Sequence, residues 1–132
     1  MIRLTGGEFR GRSILTPTGS HALKVRPTQA RLRQALFNSI QTVIGDARVL
    51  DLFGGSGALG FEALSRGASH VVFVEDARPV VKLIEKNAIT LKVEDRSRVL
   101  SDSVATVWKR IKPMGPFDIV LADPPYAEGW EE

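Results

Sequence analysis

The chain has 132 residues, 43% of them hydrophobic and 25% charged, with no cysteine and a net charge of +3. That length and composition suit one globular domain and exclude disorder. The missing cysteine excludes a disulfide scaffold, a thiolate zinc site and a thiol nucleophile. No apolar run approaches the roughly 18 residues that cross a bilayer, and the start lacks the apolar stretch of a secretory signal, so a cytoplasmic protein with no membrane partner is expected.

The charge is unevenly spread. Residues 1–44 carry seven Lys/Arg (Arg3, Arg10, Arg12, Lys24, Arg26, Arg31, Arg33) against one acid, Glu8, whereas residues 45–132 carry eleven bases and fourteen acids. A basic block ahead of a mildly acidic body is an electrostatic footprint that suits nucleic acid. It also divides the chain into a basic N-terminal segment, 1–44, and a second segment, 45–132.

In chain order, residues 2–5 and 13–15 read as short strands around a glycine-rich turn. Pro17, Gly19 and Pro27 then punctuate a loop. Thr28 has the character of an N-cap, followed by an amphipathic helix whose apolar stripe is Leu32, Ala35, Leu36, Ile40 and Val43 and whose end is Gly45. From residue 47 the pattern becomes regular: strand 47–53, helix 58–65 stopped by Gly67, strand 70–75, a helix opened by Pro79 and running to Leu91, strand 99–100, helix 104–111 and strand 117–122. Near-continuous apolar strands alternating with helices predict an α/β fold, a Rossmann-like parallel sheet with helices on both faces. Ligands of such sheets bind beyond the carboxyl ends of the strands.

Each predicted strand ends in a residue capable of chemistry. Gly55-Ser56-Gly57-Ala58-Leu59-Gly60 matches G-x-G-x-x-G between a strand and a helix, and Glu75 closes the next strand. Both features fit a dinucleotide fingerprint. Asp51, three residues before Gly54, favours a different nucleoside: a carboxylate there repels a pyrophosphate but suits S-adenosylmethionine, whose methionine end carries an ammonium and whose sulfur is a cation. Glu75 then suits the ribose hydroxyls and Asp102 the adenine amine, while a nicotinamide cofactor stays open as the competing reading. Asp123-Pro124-Pro125-Tyr126 follows the fourth strand. The carboxylate of Asp123 and the carbonyl of Pro124 can accept hydrogen bonds from an exocyclic amine and stabilise charge developing on it. The prolines stiffen that corner, and Tyr126 offers a ring on which an extruded base can stack. The combination predicts methylation of an amino group, with no metal required.

Taken in order, Gly7-Glu8-Phe9-Arg10-Gly11-Arg12, Arg26-Pro27-Thr28, Arg31–Asn38, Val49–Gly57 and Asp123–Tyr126 resemble the bacterial RsmD family, the 16S ribosomal RNA guanine-N2 methyltransferases. The resemblance implies a class I S-adenosylmethionine-dependent methyltransferase fold. It implies that Asp51, Gly54, Gly55, Gly57, Glu75 and Asp102 contact the cofactor and that Asp123, Pro124, Pro125 and Tyr126 form the catalytic corner. It implies that Arg10, Arg12, Arg26, Arg31 and Arg33 face 16S ribosomal RNA or a small-subunit assembly particle, and that the 26–28 loop closes over the pocket. The family's sheet has seven strands and this chain ends soon after the fourth, so a methyltransferase domain truncated after strand four is expected, with an exposed edge at 117–122. An adenine-N6 DNA methyltransferase shares the Asp-Pro-Pro-Tyr corner and is the alternative with the same chemistry; an RNA-binding remnant without turnover is the alternative without it.

Overall fold

The structure, a computed structural model, describes residues 1–17 and 27–123. Two short strands, β1 (Ile2–Arg3) and β2 (Ser13–Ile14), pair antiparallel with Ile2 opposite Ile14. After them come α1 (Pro27–Ser39), β3 (Arg48–Leu52), α2 (Ala58–Ser65), β4 (His70–Glu75), α3 (Arg78–Thr90), β5 (Ser97–Ser101), α4 (Trp108–Ile111) and β6 (Ile119–Ala122). The last four strands form one parallel sheet in the order β5-β4-β3-β6. Strand order reverses at β3, so the crevice between β3 and β6 is the topological switch point at which such sheets take ligands.

The sheet is covered on both faces, which is why its strands read as apolar runs. Val49, Val71, Phe73 and Leu121 pack under α1, α2 and α3 with Phe37, Phe61 and Ile84. Leu50, Leu52, Val72, Val74 and Leu100 pack on the opposite face with Val107, which precedes α4, and Ile111 of α4. Ile2, Leu4, Phe9 and Ile14 of the hairpin belong to the first of these layers. Residues of the basic N-terminal segment thus contribute to the same core as the main sheet. Among the described residues β6 pairs with β3 alone, with Val120 56% exposed. No helix among them is long and apolar enough to cross a membrane.

From residue 47 onward α2 and β4 match the sequence pattern to the residue and the other strands and α3 lie within two residues of it, but the expected helix 104–111 forms only over its second half, Trp108–Ile111, with turns before it. Helix α1 also departs from the pattern. The helix already includes Pro27 and so starts ahead of the expected Thr28 cap, and it ends at Ser39, with turns bridging to residue 47. The face toward the core is also rotated: Arg33 and Phe37 of α1 and Ile44 in the turns after it are buried, while Leu32 is 71%, Leu36 38% and Val43 57% exposed; of the expected stripe Ile40 does pack against the core. The physical reason is that both stripes have helical spacing, one residue out of phase. The buried aromatic Phe37 and an ion pair made by Arg33 select the second stripe.

Candidate active site

Three acids stand at the carboxyl edge of neighbouring strands. Asp51 lies on β3 beside Phe73 of β4 and Leu121 of β6; Glu75 ends β4, and Asp123 follows β6 directly. Asp51 is only 1% exposed, and among the described residues its carboxylate accepts one hydrogen bond, from the Gly60 N–H to Oδ2 at 3.1 Å. Burial pushes its carboxyl well above the ordinary range. The Gly60 N–H opposes that shift, and the negative charges of Asp123 and Glu75 reinforce it. A cationic group placed here would relieve both the desolvation and the repulsion, whereas a pyrophosphate would aggravate them.

The turn between β3 and α2 shapes the wall opposite these acids. Gly57, the residue preceding α2, has φ 85°, a left-handed conformation that costs a side-chain-bearing residue. Gly60 is needed for closeness: a Cβ there would lie 2.1 Å from Phe73 Cε1. Its absence lets α2 settle against β4 and lets the Gly60 N–H reach Asp51. Glu75 secures the same turn. Its Oε1 accepts the Gly55 N–H at 2.9 Å and its Oε2 the Ala77 N–H at 2.9 Å. Each carboxylate oxygen keeps a second lone pair, so the residue can hold the turn and still accept from a sugar hydroxyl.

Asp102 is held at the same edge by its N–H, which donates to the Glu75 carbonyl at 3.0 Å. Its carboxylate is already employed: Oδ1 accepts the Thr106 hydroxyl at 2.6 Å and the Ser103 N–H at 2.8 Å, and Oδ2 faces Arg110 Nη1 at 3.4 Å. The Thr106 hydroxyl, the Ser103 N–H and Arg110 together hold its carboxyl below the usual carboxylate range. Its evident task is to cap the turn that leads to α4.

Asp123 is exposed at the end of β6. Pro124, Pro125 and Tyr126 of the expected corner, and Arg26, lie outside the described residues. The remaining basic candidates divide. Arg10, Arg12 and Arg31 are exposed, and Arg12 Nη2 donates to the Thr90 carbonyl at the end of α3 at 3.3 Å. Arg33 does not face outward: it is 8% exposed and its Nε donates to Glu62 Oε1 at 3.1 Å. The expectation that it meets RNA is corrected, because the buried carboxylate of Glu62 claims it. Glu62 itself went unflagged in the sequence; the available signal was a single charge in an otherwise apolar helix, Ala-Leu-Gly-Phe-Glu-Ala-Leu-Ser. Among the described residues no cluster of His, Cys, Asp and Glu is arranged to hold a metal ion.

Comparison with known proteins agrees with this geometry. The family model described as conserved hypothetical protein 95 matches residues 2–132. The ribosomal RNA small subunit methyltransferase D of Escherichia coli K12 is 41% identical over 128 residues, covering 97% of this chain and 62% of its own length. The chain therefore spans less than two thirds of that curated relative. The solved structure of the Escherichia coli protein yhhF superposes with a TM-score of 0.79 at 42% identity, over 98% of this chain and 67% of that one. A second solved structure, the Thermus thermophilus 16S rRNA N2 methyltransferase RsmC in complex with AdoMet and guanosine, gives a TM-score of 0.65 at 29% identity over 80% of this chain and 27% of that one.

Proposed function

Since the chain belongs to the family described as conserved hypothetical protein 95, we propose that it serves S-adenosylmethionine-dependent methylation of the exocyclic N2 amine of a guanine in 16S ribosomal RNA, in the cytoplasm. The observation that carries this reading is the buried Asp51, with its raised pKa, between Glu75 and Asp123 at the switch point of the sheet. That donor set fits S-adenosylmethionine and not a dinucleotide, because it offers carboxylates to a ligand whose ammonium and sulfonium are cations. The names of the relatives, a small subunit rRNA methyltransferase and an rRNA methyltransferase solved with AdoMet, support the same reading.

In this proposal Asp51 holds the cationic methionine end of the cofactor, and its own ionisation is favoured once that charge is present. Glu75 accepts from the ribose while keeping the Gly55 turn in place. Asp102 contributes its position at the adenine end. The bound cofactor supplies an electrophilic methyl group. A guanine amine is a weak nucleophile because its lone pair is conjugated into the ring. Asp123 accepts one of its N–H bonds, turns the nitrogen toward the methyl group and stabilises the positive charge that grows there. Pro124 adds a carbonyl acceptor, Pro125 stiffens the corner and Tyr126 stacks the base. Arg10, Arg12, Arg26 and Arg31 engage RNA phosphates, either on free RNA or on a small-subunit particle.

The test is methyl transfer from labelled S-adenosylmethionine to 16S ribosomal RNA, with the product nucleoside identified by mass spectrometry. N2-methylguanosine is expected. Asp123→Ala should cost on the order of a hundredfold in rate while cofactor affinity stays within a few fold. Methylated adenine from a DNA substrate, or near-normal turnover by the Asp123 variant, would overturn the reading.

A further inference from the structure

Glu62 is fully buried in the middle of α2, and its carboxylate gathers an unusual number of donors. The Thr5 N–H lies 3.1 Å from Oε1, the Gly6 N–H 3.0 Å from Oε2 and the Thr5 hydroxyl 2.8 Å from Oε2. Arg33 Nε of α1 adds a bond at 3.1 Å and Arg66 Nε one at 2.9 Å. The two guanidinium groups extend the net outward. Arg33 Nη2 donates to the Arg3 carbonyl at 2.8 Å; Arg66 Nη1 donates to Asn38 Oδ1 at 2.8 Å and Nη2 to the Thr5 hydroxyl at 3.0 Å. Next to this net, Ser65 receives the Glu8 N–H on its carbonyl at 2.7 Å and the Phe9 N–H on its hydroxyl at 2.9 Å.

Apart from Glu62–Arg66, within α2 and its C-terminal cap, and Arg33–Arg3, between α1 and the hairpin, these bonds join the α2 end to the hairpin or to α1, the elements that carry the exposed Arg10, Arg12 and Arg31. None reaches Asp51, Glu75 or Asp123. The other end of α2 opens from the Gly57 turn and supplies the Gly60 N–H to Asp51. One helix of 8 residues, about 12 Å long, thus touches the cofactor cradle with its first turn and the basic block with its second half. Side chains that must be immobilised on binding lower affinity, so a block already fixed in register binds better than a loose one.

We infer that Glu62 is a positioning residue: by joining Thr5, Gly6, Arg33 and Arg66 it locks the hairpin and α1 onto α2, so that the exposed arginines meet RNA in fixed register with the cofactor cradle. The inference rests on the proposed RNA-facing role of those arginines, and it adds a residue that contacts neither RNA nor cofactor.

The experiment uses Glu62→Gln in this chain, with three readouts. Amide hydrogen exchange at Thr5, Gly6 and Phe9 should quicken at least about tenfold more than at Gly54 and Gly60, because the second half of the helix is released beyond any general loss of stability. Affinity for a fluorescein-labelled, guanine-containing RNA hairpin should fall about tenfold, the scale of one or two side chains that must now be ordered on binding. Cofactor affinity by calorimetry should stay within twofold. In an Arg10→Gln/Arg12→Gln/Arg31→Gln background the further loss of RNA affinity from Glu62→Gln should nearly vanish, since both sets of changes act through the hairpin and α1. A merely structural residue would instead lower RNA and cofactor affinity together and additively. If Glu62→Gln does not fold, Thr5→Val, which removes only the hydroxyl between Glu62 and Arg66, is read the same way. Unchanged hairpin exchange, or an RNA loss independent of Arg10, Arg12 and Arg31, would overturn the inference. Should the unaltered chain bind no RNA, the proposed function fails, and the exchange pattern still decides whether Glu62 is the lock.

Discussion

Two buried carboxylates, Asp51 and Glu62, are satisfied in opposite ways. Asp51 and Glu62 are equally hidden from water, at 1% and 0% exposure. Asp51 has one N–H on it and two acids near it; Glu62 has two guanidinium groups, a hydroxyl and the N–H groups of Thr5 and Gly6. Burial raises the pKa of both. At Asp51 that wins; at Glu62 the hydrogen bonds from Arg66, Thr5 and Arg33 outweigh it and hold the carboxyl below its ordinary value. Depth alone therefore says little about role. A buried acid saturated with internal donors is part of the framework, and a buried acid left short of them is prepared for a cation from outside.

The largest effect that can break this contrast is on stability. Glu62→Gln leaves two guanidinium groups without their counter-charge, and removing one partner of a buried pair costs roughly 3–5 kcal/mol. Asp51→Asn removes a charge that burial disfavours, so it should leave stability unchanged or raise it. Urea unfolding of both variants at neutral pH checks the signs; if both variants lose stability alike, the contrast is false.

The same pair should respond oppositely to pH. The folded pKa of Glu62 is depressed, so its contribution is present above the ordinary glutamate value of about 4.3 and is lost as pH falls through the folded value. The folded pKa of Asp51 is raised, so its contribution is complete below the ordinary aspartate value of about 3.9 and is lost as pH rises through the folded one. Unfolding free energies across acid to neutral pH should show the Asp51→Asn protein gaining on the parent as pH rises, and the Glu62→Gln protein gaining on it as pH falls.

How far these roles can be read from the chain depends on where the partners sit. The placing of Asp51 at the carboxyl edge of β3 was legible because its signal is local: an acid inside an apolar strand, followed within a few residues by glycines. Strand β4 and helix α2 were legible for a similar reason, a continuous apolar run and an apolar helix stopped by Gly67. Glu62 is as anomalous in its helix as Asp51 in its strand, yet its partner Thr5 lies 57 positions away, and no local pattern announces the pairing. Arg33 was misread for the same reason, and the face of α1 with it, since Leu32, Leu36 and Val43 satisfy helical spacing as well as Arg33, Phe37 and Ile44 do. Glu75 and Asp102 were expected as site residues, and the sequence did not reveal them as the clasps of the Gly55 turn and of the turn before α4, roles that depend on where particular N–H groups point.

The cofactor side of the contrast is sharpened by affinity. Asp51→Asn should weaken S-adenosylmethionine binding by about 1.5–3 kcal/mol, the range for a hydrogen bond to a charged group, whereas Glu62→Gln should barely change it. Gly60→Ala tests the approach on which Asp51 depends. The new methyl would meet the Phe73 ring and lie 3.0 Å from Asp51 Oδ2, and overpacking of this kind costs about 1–3 kcal/mol. Calorimetry and thermal melts on the two variants separate the effects: Asp51→Asn lowers affinity without lowering the melting temperature, and Gly60→Ala lowers both.

The smallest effect lies at the surface and divides the arginines as the carboxylates are divided. Arg10, Arg12 and Arg31 are exposed, and each one that neutralises a phosphate releases a counterion when RNA binds. Replacing any of them with Gln should lower the slope of log affinity against log salt by about 0.7–0.9 for each phosphate left without its arginine, and leave the melting temperature nearly unchanged. Arg33 should do the reverse. Its guanidinium lies between Glu62 and the Arg3 carbonyl and has no phosphate within its reach without leaving the core. Arg33→Gln should therefore lower the melting temperature and leave the salt slope where it was, with a parallel drop in affinity at every salt concentration as the hairpin loosens. RNA titrations at several salt concentrations, paired with melts, distinguish the two groups. A slope that falls for Arg33→Gln by as much as for Arg31→Gln would mean that the buried pair opens on RNA binding, and the division between framework and contact residues would have to be redrawn at that position.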